Sequence, residues 1–261
     1  MSRALRLSRY DHTVDAVADL SDRLRAHADP AKRDWWERYL KGAISFYGVP
    51  MGEIRRIVRT WAADRDGVDL REVSIALLSE PVAEQKLSGI LIMGELLLPS
   101  SELDPDRDLP AIAAVFDDGR ICDWNTTDWL CMKVLGPMIE SGGRRVADEV
   151  ATWVDAPGLW RRRCAAVAFV PVASRGDAEF DGQVEVVLGV CASNIRDEAR
   201  FAQTGVGWVL RELSDAARHE VYGFIVEHRE QMSREAVRMA AARLSDDQRA
   251  KLGLGGKRTR R

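Results

Sequence analysis

Apolar residues recur at helical spacing along most of this chain of 261 residues. One stripe near the start consists of Val14, Val17, Leu20 and Leu24. A second consists of Ile54, Ile57, Val58 and Trp61. Residues three or four positions apart lie on one face of a helix, so each stripe predicts an amphipathic helix. Pro30 and Pro50 mark positions where new helices begin.

The same spacing predicts further helices, separated by short stretches rich in Gly, Ser, Pro and Asp. They cover residues 69–80, 82–97, 109–116, 122–140, 143–154, 157–170, 196–215, 217–230 and 233–244. The segment Val184–Val190 is rich in valine, but a lone strand would have no pairing partner, so a helix is predicted there too. Many helices, short loops and no series of strands predict an all-α fold, an α-solenoid of stacked helix pairs.

No stretch is long enough to serve as a linker, so one domain is predicted over residues 1–252, followed by a basic flexible tail over 253–261. The longest apolar run, Gly89–Leu98, is interrupted by Glu95 and is too short to cross a bilayer. Residues 1–6 lack the apolar core of a secretory signal. We therefore expect a cytoplasmic protein without membrane contact, and we also expect a monomer.

Neither the cysteines nor the histidines have the spacing of a metal site. The four cysteines include no Cys-x-x-Cys pair, so they are expected to be reduced and mostly buried thiols. The four histidines are scattered along the chain. We expect no metal and no cofactor.

The formal net charge of −3 lacks the basic character that is the usual first sign of a nucleic-acid-binding protein. Arginines are nevertheless grouped, at Arg55–Arg56, at Arg144–Arg145, at Arg161–Arg163 and near the end of the chain. A guanidinium group can bind two phosphate oxygens at once, but solvated helix faces also carry such groups. Charge alone neither supports nor excludes DNA binding.

The most informative segment is Cys122–Asp128, because it places the indole of Trp124 and the carboxylate of Asp128 on one face of a helix. Trp160–Arg163 and Gly207–Glu212 supply two further pairings of Trp with Arg. Together the three segments suggest an anionic centre flanked by aromatic faces within a surface that binds phosphates. Such a centre suits the breaking of a bond whose transition state is a cation.

Each of these residues also has a structural interpretation. Trp124 and Trp208 have the spacing of core residues, and Asp128 has the option of capping a helix or lying on the surface. Trp35–Trp36 is assigned to packing, and Arg211 is assigned to an ion pair with a carboxylate.

Three stretches carry a family resemblance: Tyr39–Lys41 with Phe46–Pro50 and Arg55–Arg56, then Trp124–Asp128, then Trp160–Arg163 with Phe201–Glu212. In this order and over most of the chain they resemble the HEAT-like-repeat DNA alkylation-repair glycosylases of the AlkD type. The chain departs from the family pattern at Asp123, Asn125 and Thr204–Gly205.

The resemblance implies an α-α superhelix of HEAT-like repeats whose concave groove holds duplex DNA at the nucleoid. It implies excision of purines alkylated at N3 or N7, without a base-flipping pocket. Asp128 would be the catalytic carboxylate, Trp124 its aromatic neighbour and Trp208 the second aromatic wall. Arg163 would contact the DNA backbone near the lesion. The other DNA-binding candidates are Arg55, Arg56, Arg162 and Arg211.

Two other functions remain open on the sequence. One is a DNA-binding protein of the same fold without catalysis, and the other is an α-solenoid scaffold that binds proteins. The scaffold predicts an apolar or mixed groove. The glycosylase predicts a positive groove with Trp124, Asp128 and Trp208 at its middle.

Overall fold

A computed structural model describes residues 3–65 and 67–254, with side chains from residue 12 onward. The described residues form α-helices and short π-helical and 3₁₀ turns without a β-strand, and one isolated parallel bridge joins Ser45 to Val82. The helices are α1 (Arg3–Arg25), α2 (Pro30–Tyr39), α3 (Met51–Ala63), α4 (Leu70–Ser79), α5 (Ala83–Ile92), α6 (Pro105–Asp117), α7 (Trp124–Leu130), α8 (Gly136–Ala151), α9 (Leu159–Val167), α10 (Gln183–Asn194), α11 (Arg200–Leu213), α12 (Arg218–Glu227), α13 (Arg234–Ala240) and α14 (Asp246–Lys251). The all-α prediction is confirmed.

Two segments test the helix predictions directly, the valine-rich segment Val184–Val190 and the gap between the helices predicted over residues 122–140 and 143–154. Val184–Val190 lies within α10, so the helix prediction is correct there. The break predicted at Ser141–Gly143 is a kink within α8, where Gly143 has φ 59° and ψ −147°. Glycine adopts this backbone conformation without the steric cost of a Cβ, which explains why it stands at the kink.

The described chain divides into two compact units, Met1–Val134 and Leu135–Arg261. In the first unit, α1, α3, α4 and α5 pack around a core that buries Leu20, Trp61 and Leu77 completely. Burying a large apolar side chain contributes roughly 1.5–3 kcal/mol. Trp61 keeps a polar partner in this core, because its Nε1 donates to Asp19 Oδ2 at 2.8 Å. Helix α5 is buried along its whole length.

Two π-helical turns follow α-helices in the described chain. Helix α5 continues into the turn Met93–Leu97, and α7 continues into the turn Cys131–Leu135. A Cβ at Gly94 would lie 2.5 Å from the carbonyl oxygen of Lys133, so only glycine allows this approach. Such turns are rare and frequently lie at functional sites.

In the second unit, α11 is the helix around which the others pack. It contacts α9, α10 and α13. Gly205 and Gly207 allow close contacts, because a Cβ at Gly207 would lie 2.9 Å from the carbonyl oxygen of Ala236 on α13. A Cβ at Gly205 would lie 3.3 Å from Val167 Cγ2 on α9. The two glycines set how near α11 lies to its neighbours.

The predicted basic tail, 253–261, lies outside the described residues apart from Gly253 and Leu254. The single domain over 1–252 stays a prediction. No described helix is long and apolar enough to cross a membrane. The described residues contain no cluster of three or more His, Cys, Asp or Glu that could hold a metal ion. Cys122 is exposed, and the other three cysteines are buried.

Candidate active site

Helix α7, which carries the candidate catalytic residues, begins at a capping carboxylate. Asp123 is only 1% exposed and has extended backbone angles, and its Oδ1 accepts a hydrogen bond from the backbone N–H of Thr126 at 2.8 Å. The Thr127 hydroxyl donates to the Asp123 carbonyl oxygen at 2.7 Å. Burial raises the pKa of the Asp123 carboxyl. The departure from the family pattern at this position is therefore a helix cap that fixes where α7 starts.

Trp124 and Asp128 lie one turn apart on α7, and both are half-buried. Thr126, Thr127 and Leu130 on the same helix are buried, so they anchor α7 to the unit. The predicted spacing of indole and carboxylate is present, and both groups are partly open to solvent. Their catalytic role stays a prediction.

The π-helical turn after α7 contains a lysine, Lys133, that follows Asp128 closely in the sequence. Lys133 is exposed, and its Nζ lies 5.9 Å from the centre of the Trp129 ring. Trp129 itself follows Asp128 directly and is half-buried. An ammonium at this distance from an indole is held by a cation–π attraction.

Trp124 is part of an aromatic cluster formed by Trp35, Trp36, Tyr39, Phe46 and Trp124. The Tyr39 and Trp124 rings meet edge to face with centroids 5.6 Å apart. Trp36 stacks on Phe46 at 5.7 Å, and both lie against a small buried core around Leu40 and Ile44. The cluster fixes the orientation of Trp124 from the side of α2.

The packing prediction for Trp35–Trp36 is correct for Trp36 and wrong for Trp35. Trp36 is half-buried, whereas Trp35 and Tyr39 are each 52% exposed. Tyr39 was predicted only as part of a family motif, without a role of its own. The spacing of Trp35 and Tyr39, four residues apart on one helix face, is the signal that could have identified the pair.

The loop between α2 and α3 is held by a buried carboxylate of α5. Glu84 accepts hydrogen bonds from the backbone N–H groups of Tyr47, Gly48 and Val49 at 3.0, 2.7 and 3.0 Å. Burial raises the pKa of Glu84, and these three donors oppose that effect. Gly48 has φ +90°, and a Cβ there would lie 2.1 Å from the Asp29 carbonyl oxygen. The Tyr-Gly-Val motif is thus structural.

Helix α5 also carries a buried lysine. Lys86 is 2% exposed, and its Nζ donates to the Leu78 carbonyl oxygen at 2.6 Å. Burial lowers the pKa of Lys86 to about 8, and the charges of Cys122 and Asp123 partly oppose the shift. The start of α7 therefore lies in the field of a buried ammonium.

The arginines predicted to bind DNA in the first unit are paired with carboxylates. Arg55 Nε lies 2.8 Å from Glu95 Oε1, and Arg59 Nη2 lies 3.0 Å from Glu95 Oε2. Arg56 pairs with Glu53, at 3.0 Å between Nε and Oε2. Arg56 is more exposed than Arg55, with 56% against 30% of the side chain open to solvent.

In the second unit, Arg163 is buried, with 5% exposure. Its Nη1 donates to the Phe201 carbonyl oxygen at 2.6 Å and to Thr204 Oγ1 at 3.3 Å. The guanidinium thus joins α9 to α11 within the unit. This placement does not support a phosphate contact, which stays a prediction for Arg163.

The other two arginines of the second unit that were predicted to bind DNA, Arg162 and Arg211, also have acceptors. Arg162 Nη2 lies 2.7 Å from Asp197 Oδ2, and its Nη1 donates to the carbonyl oxygens of Ala156 and Pro157 at 2.8 and 2.7 Å. Arg211 Nη2 donates to Glu212 Oε1 at 2.6 Å. The ion pair predicted for Arg211 is confirmed.

Trp208 lies on α11, where it is half-buried between buried neighbours. The adjacent Gly207 packs against Ala236 of α13. Trp208 is therefore the residue of this segment that keeps part of its ring open to solvent. Its role as an aromatic wall stays a prediction.

Residues 20–244 match the model of the DNA alkylation repair enzyme family. The chain belongs to this family. A solved structure of a predicted DNA alkylation repair enzyme from Enterococcus faecalis is similar, with a TM-score of 0.70 and 16% sequence identity over 84% of this chain and 97% of that one. At this identity the likeness is one of fold. No curated protein matches the chain.

Membership of the DNA alkylation repair enzyme family confirms the resemblance seen in the sequence and supports a role in the repair of alkylated DNA. The matched residues include Trp124, Asp128, Arg163 and Trp208. The match also runs through both compact units. The individual roles of these side chains are not set by the match.

Proposed function

We propose that this protein is a DNA glycosylase that hydrolyses the N-glycosidic bond of purines alkylated at N3 or N7 in duplex DNA. The observation that carries the proposal is the half-buried pair of Trp124 and Asp128 on α7, in a chain of the DNA alkylation repair enzyme family. We propose that it acts as a monomer at the nucleoid in the cytoplasm.

The reaction fits a single carboxylate. Alkylation at N3 or N7 makes the purine cationic, so the base leaves without protonation by a general acid. As the bond breaks, positive charge moves to the deoxyribose, where the Asp128 carboxylate stabilises it and orients the attacking water. A charge pair about 4 Å apart is worth about 4 kcal/mol at an effective dielectric near 20, about a thousandfold in rate.

Trp124 adds to this stabilisation through the face of its indole, at about 0.5–2 kcal/mol for a cation–π contact. Its contact with Tyr39 holds the ring in one orientation, so little reorganisation is needed when charge develops. The partial exposure of Trp124 and Asp128 suits attack on the sugar from outside the duplex, without a pocket that encloses the base.

The exposed arginines are the best candidates for phosphate binding. Arg56 is released from Glu53 at small cost, because an exposed ion pair adds little to stability. Arg163 and Arg162 would each leave buried or half-buried acceptors unsatisfied. We therefore propose Arg56 as the phosphate contact, and keep Arg55, Arg162, Arg163 and Arg211, which are half-buried or buried with other partners, as contacts to be tested.

The direct test is release of free base from duplexes that carry N7-methylguanine or N3-methyladenine. We expect release with an abasic site left in the strand. Binding of these duplexes without release would indicate a non-catalytic DNA-binding protein, and neither binding nor release would indicate a scaffold.

Selectivity tests the mechanism separately. Uracil and hypoxanthine leave as neutral bases and need a proton donor, which this proposal does not include. We expect little release of either from otherwise identical duplexes. Robust release of uracil by the purified protein would contradict the mechanism.

A further inference from the structure

Two neighbouring rings of the aromatic cluster face solvent. Trp35 and Tyr39 stack on each other on α2, with ring centroids 5.2 Å apart and planes 12° from parallel. Each residue is 52% exposed. Tyr39 also meets Trp124 edge to face at 5.6 Å. The stacked pair therefore leads from the candidate catalytic helix to the surface.

Packing accounts for Trp36 but not for Trp35. Helix α2 contains no buried residue, and it is attached to the unit through the stack of Trp36 on Phe46 at 5.7 Å. The ring contacts of Trp35 are with Trp36 and Tyr39 on its own helix. About half of Trp35 is exposed to solvent, and removing its ring would leave the stack of Trp36 on Phe46 intact.

Two cations lie close to Trp35 and Tyr39 in sequence. Arg38 and Lys41 are exposed and line one hollow with Asp34 and Glu37. The nearby acids have other partners, because Asp34 pairs with Arg33 at 3.0 Å and Glu37 accepts from the Phe46 N–H at 3.2 Å. Exposed aromatic rings next to available cations are typical of surfaces that bind unstacked nucleotides.

We propose that Trp35 and Tyr39 form a stacking site for an unstacked nucleobase of the DNA substrate, with Arg38 and Lys41 binding the adjoining phosphates. The site rests on the proposed function, since it lies beside Trp124, and adds a contact outside the reacting centre. A purine presents a flat face of about the same size as the indole, and a pyrimidine presents a smaller one. Because every base has such a face, the contact tolerates any sequence.

The test compares two duplexes of equal length, one fully paired and one with a single unpaired base. Trp35→Ala should weaken binding of the duplex with the unpaired base by roughly fivefold to a hundredfold, and of the paired duplex by about twofold or less. Trp35→Phe should restore most of the affinity, because it keeps a stacking face. Val226→Ala, at another residue that is 51% exposed, is the matched control and should change neither affinity.

A variant with Arg38→Gln and Lys41→Gln should weaken both duplexes and reduce the salt dependence of binding by about two units, as expected of two phosphate contacts. Equal affinity of Trp35→Ala and the parent for the unpaired base would overturn the stacking site, as would equal losses on both duplexes. Release of N7-methylguanine by the parent is measured in parallel. Release without a Trp35 effect rejects only the stacking site, and a Trp35 effect without release rejects only the glycosylase.

Discussion

Helices α7 and α11 each carry a tryptophan singled out by the sequence, but they hold it in different ways. Helix α7 has seven residues, starts at the Asp123 cap and passes into a π-helical turn. Helix α11 has 14 residues, no capping side chain and two glycines against its neighbours. The short, capped helix presents a carboxylate with its indole, whereas the long helix presents an indole among packed residues.

The charged partners differ in the same way. Asp128 is half-buried on α7. Arg163, which lies on α9, is buried and donates to the carbonyl oxygen of Phe201 on α11. An arginine stem packs well against apolar surface, so burial with a backbone acceptor is a stable arrangement for it. Similar Trp-plus-charge motifs thus differ in structure, since the pair on α7 is partly open to solvent and Arg163 makes a packing contact.

The largest expected effect is on catalysis at α7. Asp128→Asn should lower the rate of base release about tenfold to a thousandfold, because the developing positive charge loses its partner. Duplex affinity should stay close to that of the parent. Asp118→Asn, at an exposed carboxylate after α6, is the control and should leave the rate unchanged. Near-parental release by Asp128→Asn would remove Asp128 from the active site.

The surroundings of the α7 start also predict a pH dependence of stability, since Lys86 is buried near the Asp123 cap with its pKa lowered to about 8. In the unfolded chain this lysine stays protonated to about pH 10.4, so between about 8 and 10.4 the unfolded state binds more protons. The unfolding free energy of the parent should therefore rise with pH relative to Lys86→Met, by roughly 3 kcal/mol across this window.

Denaturant unfolding at several pH values measures this difference. Lys133→Met, at an exposed lysine of the first unit, should run parallel to the parent over the same window. A constant difference between the parent and Lys86→Met from pH 7 to pH 11 would show that Lys86 titrates normally.

For α11, the burial of Arg163 predicts a loss of stability. Arg163→Ala should lower the unfolding free energy by roughly 2 kcal/mol, because the acceptors on α11 lose a charged donor. The salt dependence of duplex binding should stay as in the parent. Arg56→Ala is the counterpart and should flatten the salt slope by about one unit with little change in stability. The reverse pattern would place Arg163 on the phosphates and Arg56 in a structural pair.

The smallest expected effect is at the aromatic neighbour of Asp128. Trp124→Phe keeps a ring in the aromatic cluster but weakens the cation–π contact, so base release should slow about twofold to thirtyfold. Trp129→Phe, at the half-buried residue after Asp128, should have no comparable effect. Equal rates for Trp124→Phe and the parent would restrict Trp124 to packing.

Helical spacing in the sequence was sufficient to predict the all-α fold and the placement of Trp124 and Asp128 on one helix. It could not predict the close approach of Gly94 to Lys133, because these residues are far apart in the chain. It also could not separate Arg56 from Arg163. Whether an arginine faces solvent or a backbone acceptor depends on the packing of neighbouring helices, which no local pattern records. For the same reason the exposure of Trp35 was missed.

The central claim is that the Asp128 carboxylate recognises positive charge on the deoxyribose. Duplexes with a cationic pyrrolidine or a neutral tetrahydrofuran in place of one sugar test it, because the cationic ring mimics the transition state. The parent should bind the cationic duplex about tenfold to a thousandfold more tightly than the neutral one. Asp128→Asn should bind the two duplexes equally. A preference for the cation that survives in Asp128→Asn would contradict the account.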